Sequence, residues 1–205
     1  MRIEAAEITF KSILPSALVL LLVGCTAFFL YPRWTWFGVL GLNAIALGLL
    51  LGLAMYALSY LLTCSERLTS QSMRLIMQNL RAMFANFTWP QIIATSILAG
   101  VSEELLMRGF LQTGLQEYLN PLLVIVLVAL IFGLMHFMNF TYMLLTFFGG
   151  LILGAAFYLS ESLIMVIIGH IVYDICAFAV IVKFPHMLSL QSPNERNADK
   201  SKHWD

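Results

Sequence analysis

Six long apolar runs most constrain what this chain can fold into. Each supplies the roughly 20 apolar residues that a helix needs to cross the hydrocarbon core of a bilayer. They cover about 13–31, 36–62, 90–118, 121–139, 141–160 and 162–182. Composition agrees, because 60% of the 205 residues are hydrophobic and only 11% are charged. The sequence therefore predicts an all-α, polytopic membrane bundle of about six transmembrane helices, formed by a single domain at 1–184.

The distribution of basic residues predicts the orientation of this bundle. All Lys and Arg residues except Arg33 and Arg108 fall in the N-terminus, the loop after the second run or the C-terminal tail. With six spans these segments share one face, and the positive-inside rule makes that face cytoplasmic. The first run exceeds a signal-peptide core and lacks a convincing cleavage site, so we expect it to remain as a helix. A formal net charge of zero favours no nucleic-acid partner.

Two segments differ from the apolar runs. Between 65 and 88, apolar residues recur at spacings of three and four, while Arg67, Arg74 and Arg81 recur at seven. This pattern predicts an amphipathic helix lying at the cytoplasmic interface, with a substrate-guiding gate as the alternative. The tail at 185–205 is polar, and we expect it to be disordered.

Three charges interrupt the third apolar run, within the stretch Glu103-Glu104-Leu105-Leu106-Met107-Arg108. Charges inside a membrane are costly and usually functional, so this stretch is a candidate site. Glu104 and Arg108 stand at i and i+4, in the order that favours an ion pair. Gln112 and Gln116 extend the same stripe, whereas Glu103 points about 100° away and has no such local cation.

Two further polar positions lie in the later runs. If the chain reverses near 119–120, an antiparallel hairpin brings His136 to the height of Glu103, where the two could hold one water. His170 and Asp174 stand at i and i+4 in the last run, so the carboxylate can accept the imidazole proton and fix its tautomer. Counting residues across the second hairpin, between the fifth and sixth runs, gives a poorer match in height with Glu103. His170 is displaced by about two helical turns and Asp174 by about one.

The order of these motifs resembles that of a known family. Glu103-Glu104 with Arg108, Phe132 with His136, and His170 with Asp174 lie on successive apolar helices. This order resembles the CAAX prenyl protease and bacteriocin-processing family, also called Abi, of glutamate-type intramembrane proteases. The resemblance covers about 90–180.

The resemblance implies an intramembrane endopeptidase that cleaves a membrane-anchored or lipid-modified peptide. Glu103, helped by His136, would activate the attacking water, and His170 would stabilise the oxyanion. Glu104, Arg108 and Phe132 would support the site or bind substrate. Many family members have Asn where this chain has Asp174, and a carboxylate repels an oxyanion unless protonated, so we assign Asp174 to orienting His170.

Several alternatives stay open at this stage. No cofactor is favoured, although Glu103, His136 and His170 could hold zinc if a metal is bound. Against zinc, no helix carries a His-Glu-x-x-His motif, and Arg108 already neutralises nearby carboxylate charge. A non-catalytic bacteriocin-immunity or membrane-assembly protein and a proton or ion carrier are the other functions considered. The short six-helix form suits a bacterial inner membrane, with both termini in the cytoplasm.

Overall fold

A computed structural model describes residues 10–30, 41–64 and 71–188, and the regular structure in these ranges is entirely helical. The predicted all-α class is therefore confirmed. In chain order the helices are α1 (Phe10–Leu30), α2 (Leu42–Cys64), α3 (Gln71–Phe84), α4 (Trp89–Glu104), α5 (Pro121–Met135), α6 (Phe140–Ser160) and α7 (Leu163–Phe178). The predictions for the tail beyond 188 and for Arg33 and Arg67 lie outside the described residues.

Two helices continue in a wider π-helical geometry. α4 runs on through a π-helical segment, Leu105–Gln112, and a last α-helical turn, Thr113–Leu115. α7 continues through the π-helical segment Ala179–Lys183 and is followed by a 3-10 turn, Pro185–Leu188. π-Helical turns inside α-helices often mark functional sites. The one in α4 contains Arg108.

Three helical stretches in the described ranges are long and apolar enough to cross a membrane: Leu42–Thr63, Phe140–Ser160 and Leu163–Lys183. Two shorter apolar stretches, Ala17–Ala27 and Pro121–Met135, fall below that length. α4 is absent from both groups, because its polar residues lower its hydropathy. The number of six transmembrane helices is therefore not confirmed, while three helices capable of spanning are.

Sequence signals at the helix ends explain the two later hairpins. Pro121 begins α5, and the Asn120 side chain accepts a hydrogen bond from the Leu122 amide. The Asn139 side chain caps α6 in the same way, through the Tyr142 amide. α6 ends at a left-handed Glu161, with φ of 51°. α5 ends at Met135, four residues earlier than the predicted span, so His136 occupies the helix end.

α7 packs mainly against α2 and α4, while α5 packs against α6. Glycines allow these close approaches: a Cβ at Gly52 would lie 2.5 Å from the Gly169 carbonyl oxygen, and one at Gly48 would lie 2.7 Å from that of Met165. Gly150 of α6 similarly faces Ala129 of α5. The glycines of α2 and α6 therefore serve close helix packing within one chain.

The amphipathic segment forms α3, as predicted. Met73, Ile76 and Met77 are buried, and Arg74 on another face is exposed. Met73 and Met77 pack with Ile181 at the end of α7. The apolar face of α3 thus contacts the bundle itself, which adds protein contacts to the interfacial position that the sequence predicts.

Candidate active site

The two adjacent glutamates lie at the point where α4 changes to π-helical geometry. Glu104 is the last residue of the α-helical part, and Arg108 lies one turn further along in the π-helical segment. The Thr113 hydroxyl donates a hydrogen bond to the Arg108 carbonyl oxygen, at 2.8 Å. The wider turn and this bond hold Arg108 in the protein interior, next to α6.

Glu104, Arg108 and Gln112 form what we call the inner half of the site. All three side chains are completely buried. The predicted ion pair is present, with Arg108 Nη1 2.8 Å from Glu104 Oε1. Arg108 Nη2 donates to the Gly150 carbonyl oxygen at 2.8 Å, and the Gln112 amide donates to that of Gly154 at 2.9 Å. These bonds tie α4 to α6 and compensate part of the cost of burying charge.

Glu103, His136 and Asp174 form the outer half, which is partly open to its surroundings. Glu103 Oε2 lies 3.7 Å from His136 Nε2, in agreement with the predicted match in height. The same oxygen lies 3.8 Å from His170 Nε2 and has no hydrogen-bond partner in the described part of the chain. The side chain of His136 is 28% exposed and that of Glu103 is 12% exposed.

Phe132 and its carbonyl orient His136. His136 Nδ1 lies 2.9 Å from the Phe132 carbonyl oxygen, so this nitrogen donates and Nε2 faces Glu103. The Phe132 ring lies 4.6 Å from the His136 ring and 6.0 Å from the His170 ring, centroid to centroid. The Arg108 guanidinium carbon lies 5.4 Å from the centroid of the same ring, within range of a cation–π contact. Phe132 thus touches both halves of the site.

The expected hydrogen bond between His170 and Asp174 is absent, which corrects the sequence prediction. Asp174 Oδ2 lies 3.8 Å from His170 Nε2, beyond hydrogen-bond distance. Glu104 Oε1 instead lies 2.8 Å from His170 Nδ1 and accepts its hydrogen. The carboxylate that binds His170 therefore comes from α4. The contact between Glu104 and His170, on two different helices, is shorter than the contact between His170 and Asp174 within α7.

The poor height match expected for His170 also has a structural explanation. Counting residues across the α6–α7 hairpin assumes that the two helices run side by side. α7 instead makes most of its contacts with α2 and α4 and few with α6. This packing places His170 against Glu103 and Glu104 without any need for a match through α6.

Other polar groups near the site were missed by the sequence reasoning. The Gly150 and Gly154 carbonyls accept bonds from the inner half, and backbone acceptors leave no mark in a sequence. Tyr142 and Tyr173 line a cleft that also contains Asp174. Tyr173 stands three residues after His170, and this helical spacing could have indicated that the two side chains share one face of the last run. Within the described ranges, no group of three His, Cys, Asp or Glu residues has a geometry that could hold a metal ion.

Fold and site define a helical membrane protein that gathers two histidines and three carboxylates inside its bundle. Residues 85–176 match the model of a family described as type II CAAX prenyl endopeptidase Rce1-like. The matched segment is just under half of the chain and carries the three motifs, so this part of the chain is similar to the family that those motifs indicated. The family is generally one of proteases, and this similarity together with the three helices capable of spanning supports an integral membrane protein.

The match contains all seven residues that the sequence reasoning assigned to the site, from Glu103 to Asp174. No curated protein and no solved structure gave a match.

Proposed function

We propose that this protein is an intramembrane endopeptidase that hydrolyses a peptide bond in a membrane-anchored or lipid-modified peptide. The observation that carries the proposal is the position of Glu103 Oε2, 3.7 Å from one imidazole nitrogen and 3.8 Å from another. The family match over 85–176 supports peptide-bond hydrolysis, and the arrangement of these three side chains supports a glutamate-activated water as the nucleophile.

Separations of 3.7 Å suit polar atoms that share one water, since water bonds each partner at about 2.8 Å. Because His136 donates through Nδ1 to Phe132, its neutral ring presents a lone pair at Nε2. A shared water then donates one hydrogen to Glu103 and the other to His136. Its oxygen lone pair is left free to attack the peptide carbonyl carbon.

Glu103 takes a proton from the water as the new carbon–oxygen bond forms. It then returns that proton to the amide nitrogen as the carbon–nitrogen bond breaks, which leaves a carboxylic acid and an amine. His136 keeps the water oriented throughout. This division of work uses one base for both proton transfers.

His170 stabilises the oxyanion in this proposal. Its Nδ1 hydrogen is held by Glu104, so Nε2 carries a hydrogen only when the ring is doubly protonated. Carboxylate oxygens of Glu103, Glu104 and Asp174 lie 2.8 to 3.8 Å from the ring nitrogens, and their negative charge stabilises such a cation. The Nε2 hydrogen then donates to the oxyanion as it develops.

The site lies toward the cytoplasmic end of the bundle in this proposal. His136 lies in the turn between α5 and α6, at the same end as Lys183 and the charged face of α3. Basic residues favour the cytoplasmic side, so the cleaved bond lies near that surface. A bacterial inner membrane with both termini in the cytoplasm is the location that we propose.

The decisive experiment compares the parent protein with Glu103→Gln. Membrane peptides that accumulate only in cells carrying the variant identify substrates, which are then cleaved by purified protein in liposomes. We expect Glu103→Gln to slow cleavage about 100-fold or more, the usual contribution of a general base. Glu161→Gln makes the same chemical change in the exposed turn after α6 and is expected to keep the parental rate.

Equal cleavage by the parent, Glu103→Gln and His136→Ala would show that the assignment is wrong. If Glu103→Gln also keeps the full cellular phenotype, the non-catalytic immunity or assembly function becomes the better explanation. The two readouts therefore separate a protease from a binding protein with the same fold.

A further inference from the structure

A cleft of about 110 Å³ opens beside the outer half of the site. Its walls come from the last turns of α2, the first turns of α6, the end of α7 and one side of α3. The residues that matter here are Tyr142 of α6, Tyr173 and Ala177 of α7, and Met77 and Leu80 of α3. α3 thus forms an outer wall of the cleft, in addition to packing on α7.

The cleft is continuous with the candidate active site through Asp174. This residue lines the cleft, and its carboxylate lies 3.8 Å from His170 Nε2. Among the lining residues that the structure describes, Asp174 is the only carboxylate and none is Lys or Arg. Apart from Asp174 and the tyrosine, serine and threonine hydroxyls, the described walls are apolar. A neutral, apolar group is the ligand that such a cleft accepts, and a free carboxylate is repelled by Asp174.

The volume limits the size of the group. A cavity of roughly 150 Å³ holds one benzene molecule, while sites for larger ligands occupy about 300 Å³ or more. A cleft of about 110 Å³ therefore fits one aliphatic side chain and is too small for a long lipid chain.

We propose that this cleft is the subsite for a single apolar side chain of the peptide, next to the bond that is cleaved. Met77 and Leu80 of α3 and Ala177 of α7 then determine which side chain fits. The inference rests on the proposed peptidase function and deepens it, because it assigns selectivity to an identified part of the molecule. It also gives α3 a direct role in substrate choice.

The first test changes the volume of the cleft from two sides. In liposomes, a palmitoylated peptide library carries Ala, Leu or Phe at each position in turn. We expect the parent to cleave the best Leu peptide at least about tenfold faster than its Ala counterpart, since each added methylene in an apolar pocket is worth about tenfold or more. Ala177→Phe should abolish this preference, and Leu80→Ala should raise the relative rate for Phe.

Gly149→Leu is the matched control. Gly149 lines a second, smaller cleft of about 60 Å³ between α2 and α6, and a Cβ there would meet only the end of Met55. Filling this space should leave the ratio of Leu to Ala cleavage unchanged. An unchanged ratio in both Ala177→Phe and Leu80→Ala, with cleavage still dependent on Glu103, would overturn the subsite while the protease assignment holds.

A second measurement does not require cleavage. The Glu103→Gln protein is exposed in liposomes to the same palmitoylated peptides carrying photo-leucine, and the crosslinked residues are mapped by mass spectrometry. Crosslinks at Met77, Leu80 or Tyr142 that are lost in the Ala177→Phe background support the subsite. Crosslinks confined to lipid-facing residues of α2 or α6, unaffected by Ala177→Phe, contradict it even if the protein proves not to be a protease.

Discussion

Glu103 and Glu104 are neighbours in the chain and occupy opposite environments in the fold. Glu104 is completely buried and shares one oxygen between Arg108 and His170, each at 2.8 Å. Glu103 is partly exposed, and its Oε2 approaches two imidazoles without bonding either directly. Because successive residues of a helix point about 100° apart, one carboxylate faces the interior and the other faces the opening. Each side chain of the inner half makes at least one direct hydrogen bond, whereas Glu103 Oε2 in the outer half makes none within the described part of the chain.

Removing the cation of the inner half should have the largest effect on stability. Arg108→Met leaves the Glu104 carboxylate buried with only His170 beside it, and we expect a loss of about 3–5 kcal/mol in the free energy of unfolding. Denaturant unfolding in detergent micelles measures this loss. Glu103→Gln is the comparison from the outer half, and we expect it to cost about 1 kcal/mol or less, because Oε2 has no bond to lose.

The double variant Glu104→Gln with Arg108→Met sharpens this comparison. With both charges of the pair removed, no carboxylate remains unpaired in the inner half, so part of the lost stability should return. We expect the double variant to be more stable than Arg108→Met alone by about 1 kcal/mol or more. If instead the losses simply add, the pair is not the coupled unit that its geometry indicates.

Asp174→Asn should have a much smaller effect, and on activity rather than on stability. Asp174 Oδ2 makes no hydrogen bond to His170, and it lies at the nitrogen that the proposed mechanism uses for the oxyanion. Asparagine keeps the shape and removes the repulsion of the oxyanion, but it also removes one of the three carboxylates that stabilise the His170 cation. Because these two effects oppose each other, we expect a cleavage rate within about threefold of the parent. A loss of 100-fold with intact folding would show that the carboxylate itself is required.

A chelator is expected to have the smallest effect. In the described part of the chain, no three ligating side chains have a geometry suited to a metal ion, and Arg108 supplies positive charge next to Glu104. Incubation with EDTA should leave the cleavage rate in liposomes unchanged. Loss of activity that zinc restores, with Glu103 and His136 both required for zinc uptake, would make the outer half a metal site.

Part of the site was predictable because its contacts are local. Glu104 and Arg108 lie one helical turn apart, and their ion pair follows from that spacing alone. The contact between Glu103 and His136 followed from counting along a hairpin whose two helices are neighbours in the chain. His170 was misjudged because its partner, Glu104, lies 66 residues away on a helix that no residue count connects to it.

The sequence by itself determined the helical class, the order of the three family-like motifs, and the residues that carry charge into an apolar interior. Apolar length, i,i+4 spacing and motif order are properties of the chain, so these conclusions needed no coordinates. Only the tertiary structure decided which carboxylate holds His170, which backbone carbonyls accept from Arg108 and Gln112, and how the cleft beside Asp174 is walled. Those facts depend on how α7 packs between α2 and α4, because contacts between distant helices arise from packing rather than from sequence spacing.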